Sequence, residues 1–177
     1  MTPPAYPHGN VKPRLSTRQR WNLAGASLTN AVALREDAIL LRDAGRLQRA
    51  AFAVEACLEE LLKAYLCLTR DPNTDDDWDR FWEIFRDHHR KLALLKELEP
   101  ERTPEEHDAG NRTLRTFRER RLYVDVKDDG DPMTPMGLVD PGEISRESVD
   151  RLLAATEYAL ARELDRLKDA EPPKTGS

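Results

Sequence analysis

The sequence predicts an all-α protein, an antiparallel bundle of about five helices with a short extended segment and a loop before the last one. Three observations carry that prediction. The 177 residues are 34% charged and 39% hydrophobic, with a mean hydropathy of −0.71, a balance that suits helices with one apolar stripe and wide solvated faces. Apolar residues recur at spacings of three, four and seven, the helical period. The breakers Gly45, Asp71-Pro72, Pro100 and the polar stretch from Asp128 to Gly142 divide those runs cleanly, and nothing supports a sheet layer.

The elements follow in order. A first helix is expected from Ser16 or Thr17 to Gly45, through Trp21, Leu28, Val32 and Ile39, with Gly45 as a C-terminal glycine. A second runs from about Arg46 to Thr69 and ends at Asp71-Pro72, because the residue before a proline is pushed out of helical geometry. After the acidic turn Asp71 to Asp77, a third carries Trp78, Phe81, Phe85, Leu92 and Leu95 and ends at Pro100. Thr103-Pro104-Glu105-Glu106 opens a fourth, with a capping hydroxyl, a first-turn proline and acids at the positive end of the dipole. It reaches Arg120 or Arg121. Leu122 to Val126 favours extended structure, and an irregular loop follows to Gly142. The last helix spans about Ser145 to Asp169, with Val149, Leu152, Leu153, Thr156, Leu160 and Leu164.

The first fifteen residues hold four of the twelve prolines, and the chain after Asp169 is similar. Residues 1–15 and 170–177 are therefore expected to be disordered tails on a single domain over 16–169. No window approaches the roughly 20 apolar residues of a membrane span. The start, Met1 to Pro7, lacks a basic segment followed by an apolar one, so a cytoplasmic location with no membrane partner is expected. Cys57 and Cys67 stand ten residues apart on one helix, about 15 Å between Cα atoms. They cannot bridge each other, which fits a reducing compartment.

Several chemistries lack their motifs. There is no Walker loop, no Gly-rich dinucleotide turn, no Cys-x-x-Cys and no Gly-x-Ser-x-Gly. A carboxylate di-metal site in a bundle needs Glu-x-x-His, and the residues three before His88, His89 and His107 are Phe85, Arg86 and Pro104. No metal and no cofactor is expected.

Three constellations remain. On the second helix Glu55, Glu59 and Lys63 stand four apart and Glu60 three before Lys63, which reads most simply as solvated ion pairs. On the third, His88 falls seven after Phe81 and four before Leu92, with Lys91 three residues on. A histidine on that stripe is either a core residue bonded to a carbonyl or a site residue facing a cleft. Arg112, Arg115, Arg118, Arg120 and Arg121 accompany a single acid, Glu119, so a chain of net charge −5 carries one concentrated positive segment. Arginine suits phosphate, and the same residues could equally pair with the acidic turn at Asp75 to Asp79.

Four phrases in order resemble the AbiV family of abortive-infection proteins, within the HEPN class of helical bundles. They are Asn30-Ala31 with Asp37-Ala38 and Leu40-Leu41; Leu58-Glu59-Glu60-Leu61-Leu62-Lys63-Ala64; Phe81-Trp82-x-x-Phe85-x-x-His88-x-x-Lys91; and Arg118-x-x-Arg121-Leu122-Tyr123-Val124-Asp125. The resemblance implies a HEPN-like fold and a cytoplasmic bacterial protein that arrests growth or translation during phage infection. Many HEPN proteins are metal-independent ribonucleases with an Arg-x4-6-His motif, in which histidine acts on the 2′-hydroxyl and arginine steadies the phosphate.

Here the chain departs from the pattern. Positions 81 to 83, where His88 would need its arginine, are Phe, Trp and Glu. The formal match Arg102-x4-His107 lies in a proline-flanked connector, and arginine is abundant enough for one such match by chance. The resemblance singles out His88 and Arg121 as catalytic candidates, with Glu60, Lys63, Lys91, Arg118, Tyr123 and Asp125 as RNA-binding or site-organising residues. It implies RNA as substrate, a phage-encoded activator or a host translation component as partner, and a homodimer. The competing reading is a non-enzymatic interaction module, in which the polar cluster only locks the helices together.

Overall fold

A computed structural model describes residues 13–98, 125–126, 132–133 and 144–170. Its helices are α1 (Thr17–Asp43), α2 (Leu47–Thr69), α3 (Asp75–Arg86), α4 (His88–Ala93), α5 (Leu95–Leu98) and α6 (Arg146–Asp169). Two short strands, β1 (Asp125–Val126) and β2 (Pro132–Met133), pair antiparallel, Asp125 opposite Met133 and Val126 opposite Pro132. β1 falls in the stretch expected to be extended, and two residue pairs do not make a sheet layer. Four of the five expected helical segments are represented. The fourth, from Thr103 to Arg121, lies outside the described residues.

Each boundary has a local cause. Ser16 and Gln19 form a reciprocal capping box at the start of α1. At its end Gly45 has φ of +71°, which closes two backbone bonds, Gly45 N–H to Arg42 O and Arg46 N–H to Leu41 O. These are the paired bonds of a Schellman turn, and they fold α2 directly back along α1. Asp75, Asp76 and Asp77, expected in a turn, instead form the first turn of α3. Thr74 caps it, and three carboxylates at the positive end of a helix dipole are favourable there. Ser145 caps α6.

The third expected helix is broken. Asp87 adopts an extended backbone, with φ −84° and ψ 120°, and its carboxylate accepts from the Arg90 amide at 2.9 Å. It thereby caps a new short helix, α4. The backbone is helical again until Leu94, where a turn separates α4 from α5.

α1, α2 and α6 pack against one another, with α2 in contact with every other long helix. Toward α2, α1 presents Ala24, Ser27, Leu28 and Ala31, mostly small residues, while Trp21, Val32 and Ile39 are only half-buried. α6 runs antiparallel to α1, fastened by Arg146–Asp43, Arg42–Asp150 and Arg35–Glu157 ion pairs and by Trp21 Nε1 donating to Leu167 O. The larger core cluster joins Leu28, Leu58, Leu61, Leu62 and Leu66 to Trp78, Phe81 and Trp82. The smaller one, at the Gly45 end, joins Ala38, Ala50 and Val54 to Ile144, Val149 and Leu153. On α6 the buried stripe is Val149, Leu153, Thr156, Ala159 and Glu163, so Leu164, expected inside, is partly exposed and an acid occupies the core position. Pro13 to Leu15, at the end of the stretch expected as a tail, lie against α3. Trp82 Nε1 donates to Pro13 O, and Arg14 pairs with Asp75.

Candidate functional site

The middle of α2 carries an unusual load for a core helix. Glu55 is 1% exposed among apolar neighbours, and one turn later Glu59 and Glu60 follow. Glu59 Oε2 meets Lys91 Nζ of α4 at 2.9 Å, with side-chain exposures of 16% and 5%. Glu60 Oε1 accepts from Lys63 Nζ at 2.5 Å. Lys63 Nζ also stands 5.7 Å from the centroid of the Phe85 ring, a cation–π contact. Phe85 stacks on Phe81 and meets Trp82 edge-on, so the aromatic stripe of α3 supports the polar seam.

These pairs correct the solvated reading of the α2 charges. Lys63 bonds Glu60 three residues away, while Glu59 reaches across to α4, and both pairs are largely withdrawn from water. A lysine as buried as Lys91 is tolerated because its ammonium is ion-paired.

His88 is the first residue of α4, one turn before Lys91. Its side chain lies outside the described part of the structure. The expectation that it shares a stripe with Phe81 and Phe85 assumed an unbroken helix, and the extended backbone at Asp87 resets the phase. Of the other sequence candidates, Asp125 stands in β1 with its side chain outside the described part, and Arg118, Arg121 and Tyr123 lie outside the described residues. The structure thus brings Glu60, Lys63, Lys91 and the backbone of His88 together at the α2–α3–α4 junction.

A second polar cluster, which sequence reasoning missed, ties the ends of α2, α5 and α6. Tyr65 Oη donates to Glu97 Oε2 at 2.9 Å, and Arg70 Nη2 reaches both Glu97 oxygens at 2.6 and 2.8 Å. Arg166 lies 4.9 Å over the Tyr65 ring and binds Glu163 at 3.1 Å. Burial raises the Glu163 carboxyl above its ordinary range, against the pull of Arg166 and Arg162. One sequence signal existed: Val149, Leu153, Thr156, Leu160, Glu163 and Leu167 follow alternating four- and three-residue steps, so the helical period places Glu163 inside.

Neither thiol is a nucleophile near neutral pH. Burial pushes Cys57 up to about 11 and Cys67 up to about 12. Both are buried and unbridged. Among the described residues no group of three or more His, Cys, Asp and Glu is arranged to hold a metal, and no helix is long and apolar enough to cross a membrane.

The fold and this junction define the class, a bundle of long helices with ion-paired polar residues buried in the seam between α2 and a capped helix fragment that starts with histidine. The AbiV family model, of the HEPN class, matches residues 22–154, well over half of the chain. The chain belongs to the AbiV family, and membership points to phage defence by abortive infection. No curated protein and no solved structure matches it significantly.

Proposed function

We propose that this protein is a cytoplasmic abortive-infection effector that cleaves RNA without a metal, working as a homodimer set off by a phage-encoded activator or acting on a host translation component. In this reading His88 takes the proton of a 2′-hydroxyl, whose oxygen attacks the adjacent phosphorus. The 5′-oxygen departs and takes a proton from water, leaving a 2′,3′-cyclic phosphate. Arg121 steadies the charge that builds on the phosphate, Arg118 holds a neighbouring phosphate, and Tyr123 and Asp125 line the approach. Glu60 and Lys63 organise the α2 side of the site.

The observation that carries the reading is the buried Lys91–Glu59 pair. It anchors α4, and with it the position of His88, to the central helix of a HEPN-class bundle. A catalytic histidine needs that kind of fixed support.

The test is incubation of purified protein with total cellular RNA and tRNA in EDTA, wild type against His88→Ala, reading fragments and end groups. Cleavage that leaves 2′,3′-cyclic ends and disappears in a folded His88→Ala protein is the expected result. Cleavage that persists in the variant removes His88 from the mechanism. The second reading, an interaction module without catalysis, is favoured by the missing arginine at positions 81 to 83. It predicts growth arrest in induced cells whose RNA stays whole.

A further inference from the structure

On α6 the residues opposite the buried stripe recur at steps of four and three. Ala154, Tyr158 and Ala161 form the middle of this outer face, with Glu147 and Arg151 before them and Asp165 and Lys168 after. Alternating steps of four and three are those of a coiled-coil seam, so the residues share one face over about 30 Å of helix. All of them are exposed, Tyr158 by 69%. The centre of the face is an uncharged ring between two alanines, and its charges stand only at the ends.

The order of those charges is complementary to its own reverse. Arg151 and Asp165 each stand seven residues from Tyr158, and Glu147 and Lys168 stand eleven and ten away on opposite sides. A second α6 laid antiparallel, with the two Tyr158 rings at the centre, sets Arg151 against the partner's Asp165 and Glu147 against the partner's Lys168. A two-fold axis repeats both pairs. A parallel copy would set every charge against its own kind. The alanines on either side of each ring leave room for the helices to approach. Within one chain these charges make only local pairs, Glu147–Arg151 at 4.0 Å and Asp165–Lys168 at 2.8 Å, with every member at least 72% exposed. Such pairs are worth little and are easily shared with a partner. The ion pairs that fasten α6 to α1 use Arg146, Asp150 and Glu157, and they leave this face uncovered.

We infer that the outer face of α6 is a self-docking surface, on which a second copy of the chain lies antiparallel and two-fold symmetric about Tyr158. The inference rests on the homodimer of the proposed function, to which it gives a surface and a symmetry, and it is independent of RNA cleavage. One helix face per copy supplies fewer contacts than the roughly 20–30 residues a side of a standard interface. The contact is therefore a weak one, dependent on protein concentration and loosened by salt.

Sedimentation velocity on the full chain, over a range of concentrations, tests the surface. By symmetry each single change acts twice: Arg151→Asp faces the partner's Asp165 with a like charge, and Asp165→Arg does the same to the partner's Arg151. Either should weaken dimerisation about tenfold. The double variant restores opposite signs at both contacts and should return dimerisation close to the wild-type level. Both positions are exposed, so the variants should keep the wild-type circular dichroism. Tyr158→Cys reads the register: two thiols meeting at the axis should join in a disulfide under mild oxidation. Leu40→Cys, on α1 and 68% exposed, should not, and the buried Cys57 and Cys67 do not compete. A dimer indifferent to both charge variants, single-variant losses that the double variant fails to recover, or an intact dimer without the Tyr158→Cys disulfide overturns the surface and leaves the homodimer standing. A chain that stays monomeric at sub-millimolar concentration overturns both.

Discussion

Removal of the Lys91 ammonium is the sharpest test of how α4 is held. Its side chain is 5% exposed and that of Glu59 16%, with 2.9 Å between Nζ and Oε2. Lys91→Met keeps most of the apolar stem but leaves the Glu59 carboxylate in the seam without this partner. Breaking a buried pair from one side costs about 3–5 kcal/mol, and the residual water contact of Glu59 puts this case near the lower end. About 3 kcal/mol corresponds to a fall in Tm of about 6–12 °C for a chain of this size. Urea unfolding followed by far-UV circular dichroism gives the loss as a change in midpoint at constant slope. The double variant Lys91→Met with Glu59→Leu removes both charges and should recover about 2 kcal/mol or more relative to the sum of the single changes, because apolar replacement of a buried pair is often neutral. A single-variant loss below about 1 kcal/mol, the level of an exposed pair, or strict additivity in the double variant, refutes the argument that this pair anchors α4.

Two further predictions concern the frame. Gly45→Ala meets no atom within 4 Å but must hold φ near +71°; the expected cost is about 1–2 kcal/mol of left-handed strain, smaller for Gly45→Asn, and equal midpoints for alanine and wild type would sink it. Glu163 has its folded pKa raised by burial, so its contribution is full below the unfolded value and is lost as pH rises through the folded one. The Tm of Glu163→Gln relative to wild type should therefore climb as pH rises above the ordinary glutamate range; a flat or falling difference counts against the buried assignment.

How much was legible follows the range of the interactions. Ser16, Gly45, Pro72 and Ser145 act on backbone groups within a few residues, and the ends of α1, α2 and α6 fell where those residues put them. The break at Asp87 is equally local. An Asp followed by a run of polar residues is an N-cap signal, but it competes with the aromatic and aliphatic periodicity from Trp78 to Leu95, and the periodicity dominated the reading. The buried Lys91–Glu59 pair spans 32 positions and leaves no trace in either helix alone. The family-like phrases hold residues that pair in the structure, without showing how: Glu60 and Lys63 meet on α2, and Lys91 pairs with Glu59, next to Glu60. The Tyr65–Glu97–Arg70 cluster had no phrase to announce it, because Glu97 lies 32 positions from Tyr65 and 27 from Arg70 and each residue is individually ordinary.

The division of labour on α4 bears on which reading of the protein survives. Adjacent residues of this short helix face different work: Lys91 is spent inside the bundle on Glu59, while Arg90 turns to Glu83 of α3. A lysine buried in an ion pair is a poor phosphate ligand, since binding would require both desolvated charges to separate. The positive charge for an RNA phosphate beside His88 must then come from elsewhere, which is why the proposed mechanism rests on Arg121 and not on Lys91. Charge reversal across the pair, Lys91→Glu with Glu59→Lys, separates the roles. If Lys91 only anchors α4, the swapped protein recovers stability and activity together; if its ammonium contacts RNA, stability returns while activity stays lost.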